Sequence, residues 1–205
     1  FYVSNRKNLQ ELNEIRTGKA YRTVEVKNGF ATLADKTFIG DFDFGGCIDV
    51  LKASTGKWAK CIYPYDSNGR PLHPNVIEKN EPLYNYLLAH KEDLAKGRDI
   101  ENRELWYLFG RTQAIKDVSK DKYAINTIIK GRDSIRFEKV SAGRGLYSGL
   151  YILTSIPEEE IRDLIVSDDF VGYIKMLSNY KSGGYYTFAS KDVEQYLNYK
   201  LSQRY

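Results

Sequence analysis

The chain has 205 residues and only two histidines, His73 in a proline-rich loop and His90 in a helical stretch. No His/Cys/Asp grouping has the spacing of a zinc site. "DFG" occurs at Asp43–Gly45. In phosphotransfer enzymes that triplet works with a catalytic loop and a glycine-rich phosphate loop, and neither accompanies it here. "GRGLYSG" from Gly143 has the glycines of a dinucleotide loop, but the residues after it read as strand. A pyrophosphate needs a helix N-terminus at that point. No phosphate loop of the GKS type occurs, nor a convincing acidic pair with lysine of the nuclease type. Without a triad, a cofactor loop or a metal set, the sequence reads as a binding module.

The stretch "YKSGGYYTFASKDVEQYL", Tyr180–Leu197, offers different chemistry. Two glycines stand against two tyrosines, with Lys181 before them and Lys191 after. It predicts a flexible, aromatic, basic hairpin followed at once by a helix. Tyr186 and Phe188 also alternate as the core residues of a strand would, so a purely structural docking role stands beside a binding one. The charge is uneven. Residues 103–144 hold ten Lys/Arg and five Asp/Glu, residues 151–170 one Arg and six acids, and residues 171–205 five bases and two acids. A basic middle and tail around an acidic segment suggest one positive face, which attracts phosphates. An ordinary solvated mixture of charges would give the same counts.

The elements that must position these residues follow from periodicity and turn signals. Leu9, Leu12 and Ile15 predict a short helix over residues 4–16. "NGFATLADKTFIGDFDF" reads as strands broken at Asn28-Gly29 and at Asp35. "CIDVLKAS" and "KWAKCIYPYD" form a strand pair turning near Thr55-Gly56, and Asn68-Gly69 makes a tight turn in the next loop. Residues 75–96 read as helical, with Pro82 opening the second part and Leu83, Leu87 and Leu94 as the buried stripe, widened by Tyr84 and Leu88. Gly97 ends it. "RELWYLFGRTQAIKDV" reads as two short helices hinged at Gly110. "KYAINTII", "SIRFEKVS" and "LYSGLYILT" are three strands, joined by the basic glycine loops "KGRD" and "AGRG". "PEEEIRDLIVSDDFVGYIKMLSNY" is helical, its glutamates placed where the helix dipole favours acids, and a last helix begins near Lys191. The class is α+β: a twisted, largely antiparallel sheet with packed helices, divisible into subdomains of about 1–100 and 101–205 with a boundary near residues 98–104.

No apolar run approaches the roughly 20 residues of a membrane helix, and no signal peptide is visible. Cys47 and Cys61 read as reduced fillers on strands, which suits the cytoplasm. Tyrosine is used 17 times, and its apolar body with a polar tip suits cores and wet interfaces alike. The sequence opens at Phe1 and its only methionine is Met176, which reads as an excised fragment.

"NGFATLADKTFI", "KCIYPYDSNGRPL", a helix ending "LAKGR", "WYLFGRTQ" and "YKSGGYYTFASKDVEQY" come in that order over roughly residues 20–197. Their order and wording resemble the C-terminal target-recognition region of type II DNA adenine methyltransferases, including bifunctional restriction–modification enzymes. The resemblance implies a parent that moves a methyl group from S-adenosylmethionine to the amino group of an adenine. In that family an N-terminal catalytic domain with an "NPPY"-type motif does the transfer. No Asn-Pro-Pro-Tyr occurs here, so the chain itself is expected to carry no cofactor.

The partners the resemblance implies are double-stranded DNA and the catalytic domain of the same polypeptide, with no membrane. Readers of base edges are expected among Arg, Lys, Asn and Gln on exposed loops. Arg132 in "KGRD" and Arg144 in "AGRG" come first, then Arg111 and Gln113 in "GRTQ". Arg111 has an equal claim to a structural role beside Gly110. Lys120, Lys122, Lys130, Lys181 and Lys191 are expected on phosphates, and Tyr185 or Tyr186 on sugar or base. Two alternatives remain at this point: a stand-alone specificity subunit of a multi-subunit restriction system, and a nuclease with a cryptic acidic metal site.

Overall fold

In the computed structural model, residues 6–18, 23–96 and 103–204 are described. β1 (Val24–Asn28) alternates inward Val24 and Val26 with Glu25 and Lys27, the pattern of a strand with one wet face. It is the edge of a four-stranded antiparallel sheet ordered β1-β9-β5-β7, where β5 is Lys122–Ile125, β7 is Phe137–Val140 and β9 is Leu150–Thr154. Three helices cover this sheet: α6 (Glu158–Ile165), α7 (Asp168–Met176) and α8 (Ser190–Ser202). Each buries residues at helical spacing, such as Val193, Tyr196, Leu197 and Leu201 of α8. α1 (Arg6–Thr17) packs beside α8 and buries Ile15, whereas Leu9 faces solvent.

Edge strands leave backbone groups that invite pairing with another chain. α8 supplies the partners for β1. Asn198 Oδ1 accepts from Thr23 N at 2.8 Å and Val24 N at 3.0 Å, and its Nδ2 donates to Val24 O at 3.1 Å. Glu194 accepts from Val26 N at 2.9 Å.

The second sheet is ordered β2-β4-β3-β8, with β2 Ile39–Gly40, β3 Cys47–Lys52, β4 Lys57–Ile62 and β8 Gly145–Tyr147. The β3–β4 hairpin turns at Gly56, whose φ of +73° favours glycine. β8 pairs with β3 in parallel. Against this sheet lie α2 (Asp35–Phe38), α3 (Pro74–Glu78), α4 (Glu81–Ala89) and α5 (Lys91–Ala95), and Leu83, Leu87 and Leu94 are buried as their spacing predicts. A third cluster, with Leu51, Ala124, Leu146 and Tyr151 at its centre, joins the two sheets. Cys47 and Cys61 are free. Cys47 pairs with Ile62 and Cys61 with Ile48, so their side chains leave opposite faces of the hairpin.

The α+β class and the largely antiparallel pairing hold, and four local readings need correction. "NGFATLADKTFIGDFDF" contains the end of β1, α2 and the two-residue β2, not extended strands. Residues 103–118 form two 3₁₀ turns, Arg103–Leu105 and Ile115–Asp117, in place of two helices. Between the turns the Tyr107 and Phe109 side chains anchor in the second core, and Gly110 N donates to Thr32 O, so tertiary contacts set the path. "LYSGLYILT" is two strands in different sheets, parted at Ser148, which has φ +53°. "KYAINTII" likewise divides into β5 and β6 (Ile128–Ile129). Both sheets draw strands from either side of residue 100, so a cut there would run through each of them. Gly97 and residues 98–102 lie outside the described residues.

Much of the tyrosine usage belongs to the cores. Tyr63, Tyr107 and Tyr173 are buried, and their hydroxyls donate to Ile115 O, Leu72 O and Asp192 O at 2.9, 2.7 and 3.1 Å. A buried phenol needs such an acceptor.

Candidate nucleic-acid interface

β10 (Tyr180–Lys181), β11 (Tyr185–Thr187) and β6 form a third, small antiparallel sheet in the order β10-β11-β6. It joins the aromatic hairpin to the start of the "KGRD" loop, more than 40 positions earlier in the chain. The hairpin turns at Gly183 and Gly184, with φ of +79° and +82°. The left-handed region favours glycine, which explains the pair of them. Tyr186 pairs with Ile129 and points inward, and Phe188 beyond it is buried against the helices. Tyr180 lies edge-on to Tyr186 at 5.7 Å, and its hydroxyl accepts from Gly184 N at 3.3 Å, closing the turn. Tyr185 faces the other way and is 41% exposed. Its cross-strand partner is Lys181 on β10, and the Lys130 ammonium stands 6.0 Å from its ring on the other side.

The loop carrying Lys130 and Arg132 is pinned from beneath. Buried Asn126 donates through Nδ2 to Ile128 O at 2.7 Å and Ser134 O at 2.9 Å, and its Oδ1 accepts from Arg136 N at 2.8 Å. Ser134 Oγ accepts from Lys130 N at 2.7 Å and Gly131 N at 3.1 Å. Lys130 and Arg132 project from this frame into solvent. Neither Asn126 nor Ser134 stands out in the sequence; their signal is an Asn and a Ser flanking a short basic loop. Asn126→Ala strands two carbonyls and an amide N–H, an expected loss of about 2–3 kcal/mol in urea denaturation. Faster hydrogen exchange at the Arg136 amide would accompany it, and an unchanged midpoint would mean that water replaces all three bonds.

The other expected contacts lie elsewhere. Arg144 follows β7 whereas Arg132 precedes it, so the two arginines sit at opposite ends of that strand. Arg144 is exposed, with its guanidinium 5.3 Å from the Trp58 ring and 3.7 Å from Asp49. Asp49 also accepts from Lys60 at 2.7 Å, and that bond holds its carboxyl below the ordinary range. Arg111 is exposed in the loop after Gly110. Gln113 Nε2 donates to Gly29 O at 3.0 Å, tying two loops together. Lys191 is exposed in the first turn of α8.

Lys122 is a correction. It is 3% exposed, and its ammonium donates to Asp117 O at 2.9 Å and Lys120 O at 2.7 Å, so it does not reach a phosphate. Burial pulls it down to about 8, against the attraction of Asp117 and Asp121. Lys120 is exposed at its tip but holds Asp117 at 2.7 Å. Asp117, itself buried, also accepts from Lys27 and from the Tyr151 hydroxyl, both at 2.9 Å. Burial alone would push this carboxyl up; the three hydrogen bonds outweigh it and bring it down to about 2. The network floors an open cleft of ≈ 570 Å³ lined by Lys27, Asn28, Gln113, Lys116 and Lys120.

Among the described residues no group of three His, Cys, Asp or Glu side chains is placed to hold a metal ion, and no helix is long and apolar enough to cross a membrane. The histidines have local roles. His73 Nδ1 accepts from Asn75 N at the start of α3, and His90 Nδ1 lies 2.9 Å from Tyr86 O. No protein-family model matches this chain, and no curated protein matches it either.

Proposed function

We propose that this chain is a recognition module for duplex DNA, the sequence-reading part of an adenine-specific DNA methyltransferase of a type II restriction–modification system. The observation that carries the reading is the third sheet. Lys130 and Lys181 come from two separate stretches and stand on either side of the exposed Tyr185, and Arg132 is exposed on the pinned loop that follows Lys130. Cations on a rigid scaffold position a phosphate backbone, and an arginine on a short loop presents a guanidinium fork to a guanine edge. In this reading S-adenosylmethionine and methyl transfer belong to a catalytic domain of the same polypeptide in the cytoplasm. The glycine stretch from Gly143 does not suit the cofactor, because it runs into strand β8 and offers no helix N-terminus.

The test is selection from a randomised duplex pool, followed by fluorescence anisotropy on the recovered sequence. The chain is expected to enrich one defined site. The double variant Lys130→Glu/Arg132→Glu should bind that site at least about tenfold more weakly, whereas Lys79→Glu, exposed beside α3, should match the parent. A pool that shows no enrichment, or a double variant that binds normally, sinks the reading.

A further inference from the structure

The third sheet sets an exposed aromatic ring among its cations, and edge and backbone contacts to a duplex leave the face of that ring unused. Side chains alternate across a strand, so Tyr180, Tyr186 and Ile129 share one face, on which Ile129 is buried and Tyr180 at the edge is 61% exposed, and the outward row is Lys181, Tyr185 and Lys130. The next outward pair is Thr187 with Ile128, and Ile128 is 49% exposed. The exposed ring thus lies between lysines of the two neighbouring strands, with the Lys130 ammonium 6.0 Å from its centroid. A Cβ at Gly183 would come 3.4 Å from Tyr185 Cδ2, so the turn lies against that edge of the ring with no side chain of its own there. The nearest carboxylate in sequence is Asp133, in the loop beyond Lys130, and residues 180–187 contain no acid.

We infer that this face takes an unpaired nucleotide of a DNA strand, its base stacked on Tyr185 and the flanking phosphates held by Lys130 and Lys181. The inference rests on the nucleic-acid reading above and adds a second form of substrate to it. In a duplex the faces of a base are covered by its neighbours, and a protein meets only edges and backbone. A ring between two cations offers the opposite: a π surface for a base face and charge for the backbone, with no donor–acceptor pattern to read an edge. Binding of this kind tolerates any base. An unpaired nucleotide arises wherever a base is drawn out of the stack for chemistry.

The experiment compares three labelled probes by fluorescence anisotropy: an oligothymidylate, an oligomer of abasic sites with the same number of phosphates, and the selected duplex. The intact chain is expected to bind the thymidylate roughly 5- to 150-fold more tightly than the abasic strand. Tyr185→Ala should abolish that preference while leaving abasic binding unchanged, and Tyr185→Phe should restore it. Equal binding of the thymidylate and abasic strands, with the duplex still bound, overturns this inference alone and leaves a surface that grips phosphates. An equal drop for both strands in Tyr185→Ala likewise overturns it, because the ring would then be structural. If none of the three probes binds, the nucleic-acid reading falls with it.

Discussion

Asp117→Ala is expected to lower the stability of the chain by about 3–5 kcal/mol, the loss typical of removing one partner from a buried ionic network. The carboxylate joins Lys27, Lys120 and the Tyr151 hydroxyl, and its side chain is 8% exposed. Without it the Tyr151 hydroxyl, in the cluster between the two sheets, loses its acceptor, Lys120 loses its partner, Lys27 keeps only Glu25, and the buried Lys122 ammonium loses the attraction of the carboxylate. Domains of this size are stable by only about 5–15 kcal/mol, so the change removes a large part of the total. The same network sets an acid limb. The carboxyl lies at about 2 in the folded chain against an ordinary 3.8. Its folded value is depressed, so its contribution of roughly 2 kcal/mol is present above about pH 4 and is lost as the pH falls through about 2. Urea denaturation at pH 7 and pH 3 measures both effects. A variant within 1 kcal/mol of the parent at pH 7 would mean that water entering from the adjoining cleft satisfies all three donors.

Affinity for the selected duplex is expected to fall roughly 250- to 1000-fold between 50 and 200 mM salt, the consequence of a log–log slope of about −4 to −5. The basic stretch at residues 103–144 sets the scale, with five more bases than acids, and the structure decides which members count. Lys122 is withdrawn, Lys120 is tied to Asp117, and Arg144 is shared with Asp49. Lys130 and Lys181 stand at the third sheet, Arg132 is exposed on the loop beyond it, and Arg111, Lys116 and Lys191 are further exposed cations. Lys130→Ala should therefore flatten the slope by about one. Lys122→Met should leave it unchanged in whatever fraction stays folded. A flat response in the parent chain would mean that these cations do not meet phosphates. An effect of Lys122→Met on the slope equal to that of Lys130→Ala would contradict the buried placement.

What the sequence determined by itself was local. The β3–β4 hairpin, the leucine stripe of α4 and α5, the glycine turn at 183–184 and the helix after it were all legible, because each follows from turn chemistry or from a spacing of two or 3.6 residues. From enough such pieces the α+β class follows. The alternation of Tyr186 with Phe188 pointed to the core, and the choice between Tyr185 and Tyr186 needed the pairing of β11 with β6. Tertiary structure alone decided the rest. Residues 103–118 have helical-looking aromatics, but Tyr107 and Phe109 gain more from separate places in the second core than from one helical face. Lysine is a surface residue by type, and nothing near Lys122 in the sequence announces that the chain from Asp117 to Lys120 folds its carbonyls around that ammonium. Lys130 and Tyr185 are 55 positions apart and meet because β6 leaves the line of β5 to pair with the hairpin. Arg132 and Arg144, only 12 positions apart, are separated because a strand runs between them. Spacing along the chain reports what one element can do; which elements meet is set by the burial of side chains far apart in sequence, and the site is made by that burial.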